Sequence, residues 1–454
     1  MYSIGNYDQL KLVMKKYILS GLILVGFLCC NHGIEEPIET PTPPEPEPNL
    51  NEVIYDETGC LYTSYKGLVM CGYQGWFSAE GDGLDRGWYH YEKNGKLEPE
   101  SINIECWPDI SEYDKTYAAP GFKFTGGQQA YLYSAQDEST VDTHFRWMKE
   151  YGIDGVFMQR FVSQTKDKGK VQFNKVLAHA LKAAKKYERA ICIMYDGHIG
   201  NQSDYEAVTK DWNELVKTFH LFDPKENPTF LRHNGKPVFA FWGVGLSDRR
   251  FDAAYFEKMC EEIKGTEANK TTIMLGMPYY WRENGNDCID DPQFIPMVKK
   301  WCDIIMPWSV GRYRNNNIES RVKAYVRDDI AWSKANSIDY VPVVFPGFSW
   351  ENLKPGSPFD EIPREKGNFL WRQVASAKSA GAEMLYVAMF DEMDEATCIF
   401  KCATTSQLPL NGKGRFLGYD DVLGSDYYLW LTGKAAEWFH GKANYSEQIP
   451  QRVK

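Results

Sequence analysis

Basic residues are in the minority. Lys and Arg number 51 against 62 Asp and Glu, which gives a formal net charge of −11 and a pI near 5.4. No basic block interrupts this balance, which argues against nucleic acid as a partner, since that affinity rests largely on Lys and Arg meeting phosphates. No Gly-x-Gly-x-x-Gly motif follows an early strand and no phosphate-loop signature appears, so dinucleotide and nucleoside-triphosphate chemistry lack their usual cradle. A disulfide framework is missing too. Of 11 cysteines, Cys29 and Cys30 sit in an N-terminal leader and the other nine are scattered, some inside apolar runs (Cys71, Cys192). Cys398 and Cys402 are close, but no second pair has zinc-ligand spacing. All nine read as small hydrophobes, and no metal or cofactor is implied.

What is present begins with an address. Met14-Lys15-Lys16 precedes an apolar run from Ile18 to Cys30. That run is too short to span a bilayer, which takes roughly 20 residues, and it reads as an export signal. Ending in cysteine, residues 1–30 resemble the leader of bacterial lipoproteins, with translation starting at Met14 and Cys30 lipidated. Residues 31–52 are rich in Pro and Glu and read as an extended spacer. The expectation is a domain held off a membrane of the cell envelope, at the outer membrane or its periplasmic face. Soluble secretion is the alternative.

Residues 53–454 alternate short apolar runs with amphipathic helical stretches, eight times over. The apolar runs start near Gly67, Gly155, Ala190, Pro237, Thr272, Asp303, Tyr340 and Glu383. Continuous rather than alternating apolarity fits strands buried on both faces. Eight such units predict the α/β class and a single-domain (β/α)8 (TIM) barrel with loop insertions, the largest between the first run and a helix starting near Ser139. A doubly wound open sheet is the alternative.

In a barrel of this kind chemistry gathers at the C-terminal ends of the strands. The residues delivered there are Tyr73 and Trp76, Gln159 and Arg160, Asp196 and His198, Tyr280 and Trp281, Trp308 and Arg312, Trp350, and finally Glu392 and Glu395. Aromatics make up 15% of the chain; a large core explains them, and so do rings that stack on sugar faces. Trp308 also suits rim packing, His198 a surface loop, and Asp196 a helix cap. The arginines suit counter-charge for nearby acids as well as they suit a ligand.

The least ordinary stretch is Met389-Phe390-Asp391-Glu392-Met393-Asp394-Glu395-Ala396-Thr397, an apolar run leading into four carboxylates. Turn geometry from Asp391 onward sets Glu392 and Glu395 side by side. Two carboxyls so close among aromatics do not both ionise. A neutral acid beside a charged base is what cleavage of a glycosidic bond requires.

At these residues the sequence resembles glycoside hydrolase family 99 and its relatives in family 71, which carry Asn-Glu-Trp-x-Glu-Gly-Thr after a late barrel strand. The two glutamates and Thr397 match; Asp391, Met393 and Ala396 stand where Asn, Trp and Gly are found. Gly152-Ile153-Asp154-Gly155 is similar to the start of the second strand in those enzymes. The stretches 306–313, 345–350 and 425–433 resemble bacterial lipoproteins described as xylosidase/arabinosidase. The resemblance implies a retaining mechanism in which Glu392 takes the proton of the sugar 2-hydroxyl and Glu395 serves as general acid, then base. Strand three ends in Met194-Tyr195-Asp196 rather than the Glu-Pro-Tyr associated with α-mannoside recognition, so mannosidase specificity does not follow. The expectation is a monomeric glycoside hydrolase with a carbohydrate substrate, bound by Asp196, His198, Trp308, Arg312, Tyr280, Trp281, Tyr73, Trp76, Gln159, Arg160 and Trp350. A non-catalytic glycan-binding lipoprotein on the same barrel is the rival.

Overall fold

Apolar runs without alternation become strands buried on both faces, and the computed structural model has them in that form. It describes residues 58–452 apart from 266–270, 284 and 411–414; the leader, Cys30 and the spacer through 52 lie outside the described residues. In chain order the elements are β1 (Val69–Tyr73), β2 (Tyr117–Lys123), β3 (Gln129–Leu132), α1 (Glu138–Tyr151), β4 (Gly155–Phe161), α2 (Asp167–Tyr187), β5 (Ala190–Asp196), α3 (Gln202–Phe219), β6 (Arg232–His233), β7 (Lys236–Trp242) and α4 (Ala253–Lys264). There follow β8 (Thr272–Met277), α5 (Phe294–Trp301), β9 (Ile304–Pro307), α6 (Ala324–Ala335), β10 (Asp339–Tyr340), β11 (Val343–Val344), α7 (Asn368–Ser379), β12 (Leu385–Val387) and α8 (Tyr427–Phe439).

The main sheet runs β10-β9-β8-β7-β5-β4-β1-β12-β11, and these neighbours pair in parallel. Its two ends belong to one extended run. β10 pairs with β9, β11 with β12, and only Val341 and Pro342 separate them. Val341 N–H donates to the Ile305 carbonyl at 2.9 Å, and the Pro342 carbonyl accepts from Tyr386 N–H at 3.0 Å. Proline has no N–H to offer, so its carbonyl alone serves the second neighbour. The ring therefore closes as a (β/α)8 barrel, with β10 and β11 as one split strand. β6 adds an antiparallel edge to β7, and β2 and β3 form a separate hairpin.

The Gly152–Gly155 run has a packing reason. Gly152 closes α1 with φ +78°, the left-handed region that glycine enters at least cost. The Asp154 carboxylate accepts from Val69 N–H at 2.7 Å and meets His440 Nε2 at 3.0 Å, tying β1 to the end of α8. At Gly155 a Cβ would lie 1.9 Å from the Ala190 carbonyl oxygen of β5. Gly155→Ala is expected to cost at least about 3 kcal/mol, since neither backbone can yield without breaking the ladder; a denaturant midpoint checks this.

α2 starts at Asp167. Its polar first turn packs through Gly169, where a Cβ would come within 2.5 Å of the Gln164 carbonyl oxygen. The insertion between β1 and α1 folds against the long segment after β12. Glu105 N–H donates to the Met393 carbonyl (2.8 Å), Ala403 to Trp107 (2.8 Å), Leu410 to Lys123 (2.8 Å) and Leu417 to Glu105 (2.7 Å). Glu112 bonds Lys401, Arg146 and Trp147 across the same seam. Among the described residues no helix is long and apolar enough to cross a membrane.

Candidate active site

β12 ends at Val387, and the chain then turns back on itself. Met389 N–H donates to the Thr397 carbonyl (2.9 Å), Ala396 N–H to Met393 (3.3 Å), and the Thr397 and Cys398 N–H groups converge on the Glu392 carbonyl (3.2 and 3.1 Å). Ala396 sits at φ +51°, in the left-handed region; it occupies the place where the resembling motif has glycine. This tight loop carries all four acids. Its outer edge is fastened by Ser349 N–H on the Glu395 carbonyl at 3.0 Å.

Each carboxyl meets a different fate. Asp391 is buried and accepts the backbone N–H groups of Gln74 (2.7 Å) and Gly75 (2.9 Å), just beyond β1. Burial raises it, those two donors restrain it, and it titrates near 7. Asp394 is buried with Oδ2 3.0 Å from His90 Nδ1, while its Oδ1 has no hydrogen-bond partner among the described residues. Glu392 is 7% exposed. Burial, then the charges of Glu395 and Asp394, push it well above the carboxylate range, against hydrogen bonds from Gln74 and Thr397. Thr397 Oγ1 donates to it at 3.2 Å. Glu395 is partly exposed, and burial followed by Asp394 puts it at about 7. Near neutral pH this pair holds at least one proton.

Glu395 opens into a cleft of about 660 Å³ at the C-terminal ends of the strands. Trp242, Tyr280, Trp308, Phe348 and Trp350 supply its flat apolar walls, and Asp248, Asp287, Arg312 and Glu361 its polar points. Trp242 and Trp308 meet edge to face with centroids 5.4 Å apart. Arg312 Nε donates to Asp287 Oδ2 at 2.7 Å. Flat rings with a few convergent polar groups suit a ligand that has both apolar faces and hydroxyls.

The structure brings Tyr280, Trp308, Arg312, Trp350 and Glu395 together in this cleft. Asp196 and His198 lie on a neighbouring cleft of about 610 Å³. There Asp196 faces Arg249 at 3.1 Å and titrates near 6, raised chiefly by burial; the cap of α3 is Asn201 instead. Arg249 also lies over the Trp242 ring at 5.1 Å, between the two clefts. Other residues point elsewhere. Tyr73 is fully buried on His144 Nδ1 (2.8 Å). Trp281 is fully buried against Trp332 and Asp329. Gln159 bonds the Tyr386 hydroxyl inside the barrel (3.0 Å). Arg160 is locked to Asp211 and Asn174, and Arg282 to Asp329. None of these arginines pairs with the acid run, whose partners are backbone N–H groups, His90, and the Thr397 and Gln74 side chains.

His90 escaped sequence reading because it sits in an insertion with no periodicity. Its ring stacks on Trp76 with centroids 3.7 Å apart and planes at 7°, and its backbone is left-handed at φ +66°. His90→Gly keeps that backbone and removes the donor to Asp394. It is expected to lower turnover about tenfold, through a less restrained Asp394 charge beside the glutamates. His90→Asn, which tolerates φ > 0 and retains a side-chain donor, should keep most of it; kcat and its pH profile for the two variants check this.

Among the described residues the one group able to hold a metal ion is Cys106, Cys398 and Cys402, buried away from the cleft. No family model matches the chain, and no curated protein matches it in sequence. Two solved structures of the GH99 endo-α-mannosidase from Bacteroides thetaiotaomicron, one in complex with bis-tris-propane, are similar at 16% identity and TM-score 0.60. They cover 83% and 84% of this chain and 98% and 100% of theirs. A glycoside hydrolase-like protein is similar at 13% identity and TM-score 0.52, over 84% of this chain and 96% of its own. At such identities the likeness is one of fold, and the fold is the α/β barrel of a GH99 endo-α-mannosidase, extended over most of this chain.

Proposed function

We propose that the protein is a glycoside hydrolase that cleaves a glycan with retention of configuration, using Glu392 and Glu395. The observation that carries this is Glu395, a carboxyl raised to about 7 that opens into an aromatic cleft while a second raised carboxyl lies behind it. Glu392 is raised further than Glu395, so the proton the pair holds rests on Glu392. It passes to Glu395 as the sugar binds, and Glu392, whose ionised form Thr397 and Gln74 support, then takes the proton of the sugar 2-hydroxyl. That oxygen attacks the anomeric carbon, the glycosidic C–O bond breaks, and Glu395 gives its proton to the leaving oxygen. Water, deprotonated by Glu395, then opens the 1,2-anhydro ring, and Glu392 returns its proton to O2. Trp308, Trp350 and Tyr280 stack on the sugar, and Arg312 fixes a hydroxyl.

The setting we propose for this activity is the cell envelope. Residues 1–30, read from Met14, export the chain; Cys30 carries the lipid; residues 31–52 hold the monomeric catalytic domain, 53–454, off the membrane. A polysaccharide panel with product NMR tests the chemistry. Hydrolysis with retained anomeric configuration is the expected result. Inverted product sinks the mechanism, and binding without turnover across the panel favours a glycan-binding protein instead.

A further inference from the structure

Nine scattered cysteines read as hydrophobes along the chain, yet the fold collects three of them. Cys106 comes from the insertion; Cys398 and Cys402 follow the acid loop. All three are fully buried. Cys398 and Cys402 have their sulfurs 3.6 Å apart, and all three lie within 4.8 Å of one another. Thiolates bound at about 2.3 Å to one ion sit roughly 3.8 to 4.0 Å apart in tetrahedral or trigonal geometry, so the separations suit a shared cation with only small adjustment.

A second observation concerns charge. Arg364 is buried beside the sulfurs and makes no salt bridge among the described residues. Its Nη2 donates to the carbonyls of Ala396 and Cys398 at 2.8 Å and reaches Cys398 Sγ at 3.8 Å. The guanidinium lies between the rings of Tyr419 and Tyr428, at 4.8 and 4.5 Å. Its Nε and Nη1 have no hydrogen-bond partner among the described residues. A buried cation is costly unless it is answered; the groups nearest this one are the three sulfurs and the half-buried Asp360, whose carboxyl burial raises and the guanidinium lowers. Three thiolates on a divalent ion carry a net charge of −1, which cancels Arg364.

We propose that Cys106, Cys398 and Cys402 bind one thiophilic d10 cation, Zn2+ or Cu+, as a structural site facing the Arg364 guanidinium. Charge balance favours Zn2+, with the Tyr419 hydroxyl, 3.9 Å from Cys398 Sγ, at hand as a fourth donor. All-sulfur three-coordination suits Cu+. Either ion cross-links the insertion to the chain leaving the acid loop, where Glu105 N–H and Cys106 N–H already meet the Met393 carbonyl (2.8 and 3.3 Å). The site needs no sugar chemistry and stands whether or not the proposed activity does.

The test uses the full chain, reduced under anaerobic conditions and supplied separately with Zn2+ and with Cu+. Elemental analysis is expected to find about one equivalent of one of these ions per chain, and X-ray absorption to place it among sulfurs at about 2.3 Å. Cys106→Ser and Cys398→Ser should each lose the ion, and Cys260→Ser, buried in a helix elsewhere, should keep it. Should the serine variants fail to fold, metal uptake and absorption of the wild type still decide. Less than about 0.1 equivalent after supply of either ion overturns the proposal. So does a Cys398–Cys402 disulfide in the protein as isolated, before reduction, seen as a mass about 2 Da below the reduced chain, since it uses two of the sulfurs.

Discussion

Glu395→Gln is expected to lower kcat about 10²- to 10⁴-fold, the range for loss of a general acid–base group, while making the fold more stable. The two effects share one cause. Glu395 and Glu392 are raised by burial and by the charges packed beside them, including Asp394. A neutral amide keeps the shape and removes one of those charges. Glu392→Gln should act in the same direction on both measures. The two glutamines should differ with the leaving group. An activated aryl glycoside, which departs without a proton, supplied with azide, a nucleophile that needs no base, should recover most of the rate in Glu395→Gln and little in Glu392→Gln, whose role lies on the attacking side. Steady-state rates on both substrate types, with thermal midpoints for each variant, check this. Equal recovery in both variants would refute the separate roles, and a wild-type rate in Glu395→Gln would remove it from the mechanism.

The second large effect is on stability against pH, and its sign is unusual. Asp391, Glu395 and Glu105 titrate near 7 in the folded chain, Asp196 and Asp329 near 6, and Glu392 higher than the usual range; burial is the first cause in each. Unfolded carboxyls titrate near 4. Between those values the folded state holds more protons, so stability falls as pH rises. His144 works the other way: burial lowers it to about 3, so it adds stability as pH rises toward its unfolded value of roughly 6.5. His179 and His198 are also lowered, by burial first. Above about pH 6.5 this opposing contribution is complete, and the carboxyls act alone up to about 7 and beyond. A separate loss comes in strong acid. Burial opposes it, but Lys401, Trp147 and Arg146 hold Glu112 near 2, and Arg452 and Tyr151 do the same for Asp426. The thermal midpoint should therefore peak near pH 4, where unfolded carboxyls titrate, and fall by at least about 3 °C by pH 8. Glu395→Gln should flatten that descent. A midpoint that instead rises from pH 5 to pH 8 would contradict the burial of the acid run.

Periodicity carried most of the architecture. Eight apolar runs without alternation can only be strands covered on both faces, and the helices between them show their own apolar stripes. Local chemistry also announced the acid run, because four carboxylates after Phe390 need partners or water wherever they lie, and three of them are buried with partners. The turn that sets Glu392 near Glu395 was likewise legible in the spacing. What no local pattern could supply is which distant groups meet. Tyr73, Trp281 and Arg160 follow strands much as Trp308 and Arg312 do, yet the first three turn into the protein, where His144, Asp329 and Asp211 answer them. Facing direction is set by the partner across the barrel wall, and that partner is remote in sequence. The acid run shows both sides. Its composition set it apart from the rest of the chain, but Asp391 and Asp394 had no explanation until folding brought the Gln74 and Gly75 amides and His90 against them. The same holds for Cys106, remote in sequence from Cys398 and Cys402. Periodicity is written locally, in 2- and 3.6-residue repeats; charge compensation and ligand convergence depend on contacts that only the closed barrel and its insertion create.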